Sequence, residues 1–112
     1  MGWPAVMWPY LSVAVVGASM EGTLRDGDWL VVRRCTGTMV RAGHVIVVER
    51  PDRLGFLIVK RAVRRTHSGW WVEGDNRAFS DDSRLFGVVQ DEQVVGRVIA
   101  RYHPRPALLR SV

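Results

Sequence analysis

The sequence predicts a mainly β fold, a single compact domain built on a partly closed β-sheet. Three observations carry that expectation. Short apolar runs rich in Val, Ile and aromatic residues recur along the chain, a composition that suits a pleated, half-buried surface. Clusters of Gly, Pro, Asp, Ser and Thr punctuate them, supplying turn conformations and local side-chain bonds. No stretch places apolar residues at helical spacing. With 112 residues, 47% of them hydrophobic, the chain supports one core and is too short for two. Residues 1–112 are therefore expected to form one domain, with 1–10 as an apolar N-terminal arm and 103–112 as a flexible tail.

Taken in order, residues 11–16 and 29–32 are apolar runs flanking a glycine-punctuated loop, 17–28. Strands are expected near 28–34, 44–49, 55–64, 69–73 and 94–102. Thr36-Gly37-Thr38, Ala42-Gly43, Pro51-Asp52-Arg53 and His67-Ser68-Gly69 provide the turns between them. A polar loop, 74–87, follows Trp70 and Trp71. Near the start, Trp3, Trp8 and Tyr10 invite a membrane reading, but Pro4 and Pro9 break any helix there and a span needs roughly 20 apolar residues. Nor is there a basic segment followed by a cleavable apolar one. The expectation is no transmembrane segment, a cytoplasmic location or one peripheral at a membrane, and at most shallow insertion of the tryptophans. A lone cysteine, Cys35, excludes an internal disulfide and a thiolate metal cluster.

The net charge of +5 and a pI near 10.6 raise the question of nucleic acid. The arginines are scattered, as Arg33-Arg34, Arg61, Arg64-Arg65, Arg97, Arg101 and Arg105, without a recognition-helix pattern or an aromatic-and-basic signature. No specific nucleic-acid partner is expected.

The chemistry centres on Ser19, at a strand-to-loop exit where its hydroxyl can project into open space. A serine hydroxyl is a poor nucleophile until a neighbouring base takes its proton. Lys60 is the one lysine among 16 basic residues. Arginine does not deprotonate in proteins, whereas a lysine in apolar surroundings loses hydration of its charged form and becomes a neutral amine more readily. Strand alternation places Ile58, Lys60 and Ala62 on one face and Val59, Arg61 and Val63 on the other, so an apolar setting alone does not separate the two cations. In the polar loop, Ser80 can bond the lysine amine, and Asp82 and Arg84 can form a charge-assisted pair. A Ser-His-Asp arrangement fits worse. His44, His67 and His103 sit in turn or tail contexts, and no Gly-X-Ser-X-Gly elbow surrounds Ser19.

Together these segments resemble the S26 serine peptidases, the type I signal peptidase family, in order and spacing. Ser19-Met20 with Thr23-Leu24 and Gly27-Asp28 looks like the nucleophile box, and Val59-Lys60-Arg61 like the box of the general-base lysine. Gly74-Asp75-Asn76, Ser80 and Asp82-Ser83-Arg84 with Gly87 match the third box residue for residue. The Gly-Trp-Trp-Val-Glu-Gly-Asp-Asn run looks most like the nickel-type superoxide dismutase maturation proteases. The resemblance implies the β fold of the signal peptidase I catalytic domain, a Ser19/Lys60 dyad, and a precursor polypeptide as substrate, with no metal or cofactor. It implies that Ser80 orients the amine, that Asp82 and Arg84 hold the Ser80 loop, and that Gly17, Ser19 and Met20 form the oxyanion site and substrate groove. Two positions depart from the pattern. Gly22 replaces the usual proline, which loosens the turn after the nucleophile. Gly17 stands where some relatives place a hydroxyl residue, leaving the Ser19 N–H as the main oxyanion donor; losing one such donor can cost roughly 10²-fold or more in rate. The rival readings are a non-catalytic β domain used for binding and a basic nucleic-acid-binding protein. A self-cleaving repressor-type protease would need a cleavable segment and a DNA-binding domain.

Overall fold

A computed structural model describes residues 9–109. Trp3 and Trp8, and with them most of the expected arm, lie outside the described residues. The strands are β1 (Tyr10–Ala14), β2 (Trp29–Arg34), β3 (Val45–Glu49), β4 (Leu57–Arg65), β5 (Gly69–Glu73), β6 (Val89–Gln90), β7 (Val94–His103) and β8 (Ala107–Leu108). They form one curled antiparallel sheet in the order β1-β2-β7-β3-β4-β5-β6, with β8 added to β7. The mainly β expectation holds. The five strands expected from pattern alone match β2, β3, β4, β5 and β7 to within two residues at either end.

The central strand shows why the sheet curls. Val45, Ile46, Val47 and Val48 are all buried, so β3 reads as a continuous apolar run rather than an alternating one. Val45 and Val47 join a core with Leu11, Met20, Leu24, Leu30, Val32 and Val98. Ile46 and Val48 join a second core with Ala62, Trp70, Val72, Val89 and Val94. Each half of the curled sheet thus covers one face of β3.

Three short elements escaped sequence pattern. The single turn α1 (Ser83–Phe86) and the two-residue strand β6 are too short to show a period. Within the stretch expected as a tail, β8 pairs Ala107 with Arg101 and Leu108 with Ala100.

For function the register of β4 matters most. Its first half pairs with β3, Leu57 opposite Glu49 through Arg61 opposite Val45. Pairing with β5 begins only at Arg61. Residues 57–60 therefore keep one edge free of strand partners among the described residues, and the loop after β1 lies beside that edge.

Candidate active site

Ser19 lies in the long connection of the β1–β2 hairpin. The ladder continues one step past β1, where the Val15 N–H donates to the Asp28 carbonyl and the Gly27 N–H to the Val15 carbonyl, both 2.8 Å. Beyond it, the loop is anchored from inside. Met20 and Leu24, 1% and 0% exposed, plunge into the first core. The Leu24 and Thr23 N–H groups both donate to the Met20 carbonyl, at 2.8 and 3.0 Å. This turn takes Gly22 to φ +103°, a backbone region that proline, fixed near −65°, does not reach. The turn is therefore hydrogen-bonded and glycine-specific, not a loosened version of a proline turn.

Lys60 is 4% exposed, and its side-chain nitrogen lies 2.7 Å from the Ser19 hydroxyl oxygen. Its cross-strand partner is Ile46, and Ala62 on the same face is fully buried. Burial pushes the Lys60 pKa below its ordinary value; Asp82 and Asp81 pull it upward, and the Arg50 and Arg84 charges push it down again. Arg61, which the alternating pattern did not separate from Lys60, has a different environment. Its guanidinium grips Asp75 at 2.6 and 3.0 Å and donates to the Gly43 carbonyl at 2.8 Å. Lys60 makes no ion pair among the described residues. One cation is neutralised by a carboxylate; the other faces a hydroxyl.

The polar loop after β5 holds the Ser19 segment through its backbone. The Asn76 N–H donates to the Ser19 carbonyl at 2.8 Å, and the Asn76 side-chain amide donates to the Ala18 carbonyl at 2.9 Å. Asp75 takes a 2.5 Å hydrogen bond from the Thr23 hydroxyl, and its own N–H points at the Met20 sulfur, 3.4 Å away. Burial alone would raise the Asp75 carboxyl; the bonds from Arg61 and Thr23 hold it below its usual value. Gly74 is required by proximity: a Cβ there would stand 2.6 Å from the Ser19 carbonyl oxygen and 2.6 Å from the Ser80 Cβ.

Asp82 is the hub of this loop. Its carboxylate, 1% exposed, accepts from the Gly74 N–H (2.9 Å), the Ser80 hydroxyl (2.9 Å), and the Arg84 backbone N–H (3.1 Å) and side chain (2.9 and 2.6 Å). Burial would push this carboxyl up, but the Arg84 guanidinium, the Gly74 N–H and the Ser80 hydroxyl together hold it well below the usual carboxylate range. The Ser80 hydroxyl thus serves Asp82; among the described residues it makes no hydrogen bond to the Lys60 amine.

Of the groups expected around the oxyanion, the Gly17 N–H donates to the Asp26 carboxylate at 2.7 Å. Met20 is a core residue that also lines the cleft. The Ser19 N–H has no acceptor among the described residues. The cleft, about 190 Å³, runs between residues 14–16 and 56–60, with Ser19, Met20 and Lys60 in its wall. No group of acidic, His and Cys side chains that could hold a metal ion occurs among the described residues.

A serine hydroxyl set against a buried lysine amine, in an apolar cleft bordered by a free strand edge, is an arrangement suited to peptide-bond chemistry, and the chain is a peptidase of the signal peptidase type. It belongs to the Peptidase S24-like family, whose model matches residues 9–99. It is similar to mitochondrial inner membrane protease subunit 1 of Xenopus tropicalis, at 29% identity over 119 aligned positions that cover 85% of this chain and 71% of that protein. It is also similar to signal peptidase IB of Staphylococcus aureus, at 52% identity over 33 residues, 30% of this chain and 17% of that enzyme.

The Gly74-Asp75-Asn76 motif marked these three as supporting residues, but not that Asn76 clamps the Ser19 carbonyl, a contact that spans 57 positions. Sequence reasoning also missed the burial of Asp28, 2% exposed, whose carboxylate accepts from the Arg25 N–H at 2.8 Å and faces Arg101 at 3.8 Å.

Proposed function

We propose that this chain is a serine endopeptidase of the S26 kind that removes an N-terminal leader or pro-segment from a precursor polypeptide, with Ser19 as nucleophile and Lys60 as general base. The observation that carries the reading is the 2.7 Å approach of the Lys60 amine to the Ser19 hydroxyl at a lysine that is 4% exposed. Neutral Lys60 takes the Ser19 proton as the oxygen attacks the scissile carbonyl, the lysine then protonates the departing amine, and water releases the acyl-enzyme. The Ser19 N–H is the oxyanion donor. Asn76 acts behind it by fixing the Ser19 and Ala18 carbonyls, and Asp82 with Arg84 and Ser80 holds the loop that carries Asn76. An extended substrate segment fits the cleft by adding to the free edge at residues 57–60. Apolar walls at Val16, Phe56 and Leu57 favour small or apolar substrate side chains.

The enzyme needs no metal or cofactor in this mechanism. No helix among the described residues is long and apolar enough to cross a membrane, and the reading places the enzyme in the cytoplasm or peripherally at a membrane. Of the precursor classes, the tryptophan-rich run before Gly74-Asp75-Asn76 favours the pro-segment of a nickel-type superoxide dismutase over a secretory signal peptide. The test is incubation with both kinds of precursor and mass measurement of the new N-terminus. Ser19→Ala is expected to lower cleavage by at least about 10³-fold with an unchanged circular dichroism spectrum. A folded Ser19→Ala variant that cleaves at the wild-type rate refutes the assignment.

A further inference from the structure

A second cavity lies elsewhere in the fold, between the start of β3 and the β7–β8 pair. It encloses about 380 Å³ and shares no lining residue with the cleft at Ser19. Most of its wall is apolar, with Val45, Ile99, Leu108 and Leu109 contributing, and its polar groups are His44 and Arg97.

The hydrogen bonding of His44 is incomplete in an informative way. The residue is 9% exposed. Its Nδ1 lies 3.0 Å from the Arg41 N–H, and its Nε2 lies 3.5 Å from an Arg97 guanidinium nitrogen. Both ring nitrogens therefore face N–H donors, yet a neutral imidazole has only one lone pair to offer. The shorter contact assigns that lone pair to Nδ1, so Nε2 carries a proton aimed toward another donor. Charging the ring removes even that acceptor. Burial, together with the Arg97 and Arg41 charges, lowers the His44 pKa, so the neutral ring is the relevant one. Arg97 makes no ion pair among the described residues, and the charges acting on the ring, Arg97 and Arg41, are both positive. A buried imidazole N–H and a partly exposed guanidinium thus converge on the cavity with no acceptor side chain between them, an arrangement that a ligand acceptor would complete.

We infer that this cavity is a binding site for an aliphatic carboxylate, whose head bridges the Arg97 guanidinium and the His44 Nε2–H while its chain lies against Val45, Ile99, Leu108 and Leu109. One guanidinium and one imidazole N–H match the two oxygens of a single carboxylate. The remaining wall offers no further donors for a phosphate but ample surface for methylene groups.

The test titrates the full chain with octanoate, octan-1-ol and inorganic phosphate, read from the His44 ring nitrogen resonances and the thermal midpoint. Octanoate is expected to shift the Nε2 resonance saturably and to bind at least about tenfold more tightly than either comparator, the margin of one charge-assisted bond. Arg97→Gln should remove that margin while leaving octan-1-ol binding unchanged. Leu108 is 79% exposed at the rim, so Leu108→Glu should keep the fold and weaken octanoate several-fold by like-charge repulsion, even if Arg97→Gln fails to fold. Equal affinity for octanoate and octan-1-ol, equal affinity for phosphate, or indifference of octanoate to the substitutions overturns the inference. Ser19→Ala should bind octanoate as the wild type does, which keeps this result separate from the peptidase reading.

Discussion

Replacing Asp82 by alanine tests whether the loop after β5 acts as a support for Ser19. The substitution leaves the Gly74 N–H buried without an acceptor, a loss of about 1–3 kcal/mol. It also removes the N-cap of α1, where the Asp82 side chain accepts from the Arg84 N–H, for about 1 kcal/mol more. The Arg84 side chain is 32% exposed and regains water, so its ion pair adds little, about 0–1 kcal/mol. The total is about 3 kcal/mol, within the 5–15 kcal/mol typical of a domain, so the variant remains folded at 25 °C. For 112 residues, unfolding entropy of about 2.1 cal/mol/K per residue converts this to a fall in Tm of about 13 °C. The assay is thermal unfolding of both proteins across pH, alongside cleavage at 25 °C. Because the folded-state pKa of Asp82 is depressed, its stabilisation is fully present above the unfolded value of about 4 and lost as pH falls through the folded value. The difference between the proteins should thus stay constant from about pH 5 to 8 and narrow only in strong acid. Cleavage should fall through kcat more than KM, since the Gly74-to-Asn76 segment that clamps the Ser19 carbonyl loosens. A Tm change under about 3 °C at pH 7, or a difference that disappears already near pH 6, refutes this account of the loop.

Lys60→Arg keeps the positive charge but cannot surrender a proton, so it should be as inactive as Lys60→Ala, while wild-type cleavage rises with pH as Lys60 deprotonates; a pH-rate measurement on a verified precursor checks both. The same depressed pKa makes stability rise with pH between the folded value of Lys60 and about 10.4. Lys60→Met should therefore be at least as stable as the wild type at pH 7 by denaturant unfolding. Gly74→Ala brings a Cβ to 2.6 Å from the Ser19 carbonyl oxygen and should cost about 1–3 kcal/mol of stability together with most of the activity. Gly22→Pro, although it matches the residue that the S26 resemblance expects there, demands φ near −65° where the chain holds +103°. It should lower stability by about 2 kcal/mol or more, and a Tm equal to wild type would show that the turn can re-form.

Much of the fold was legible because its signals are local. The β-branched runs that became β2, β3, β4, β5 and β7 each carry their own propensity, and the turns between them their own glycines and hydroxyls. Ser19 and Lys60 stood out by residue type: a serine beside glycine-rich turns, and one lysine in a chain whose other basic residues are arginines. Across a separation of 41 positions, residue type alone did not pair them; the pairing was expected through the family resemblance. What brings them together is the register of β4 on β3, which leaves residues 57–60 without a second strand partner, and the burial of Met20 and Leu24, which draws the Ser19 loop against that open edge.

Alternation along β4 left Lys60 and Arg61 equivalent, because period two assigns faces and not neighbours. Tertiary structure separated them by giving Arg61 the Asp75 carboxylate and giving Lys60 a buried position beside a hydroxyl. Ser80 followed the same logic: its residue type allowed a bond to the lysine, and the packing of Gly74 and Asp82 around it directed that bond to a carboxylate instead. Sequence by itself determined which groups were available, since propensity and ionisation belong to individual residues. Only the folded sheet decided which of them meet, because hydrogen-bond partners and desolvation depend on segments distant in the chain.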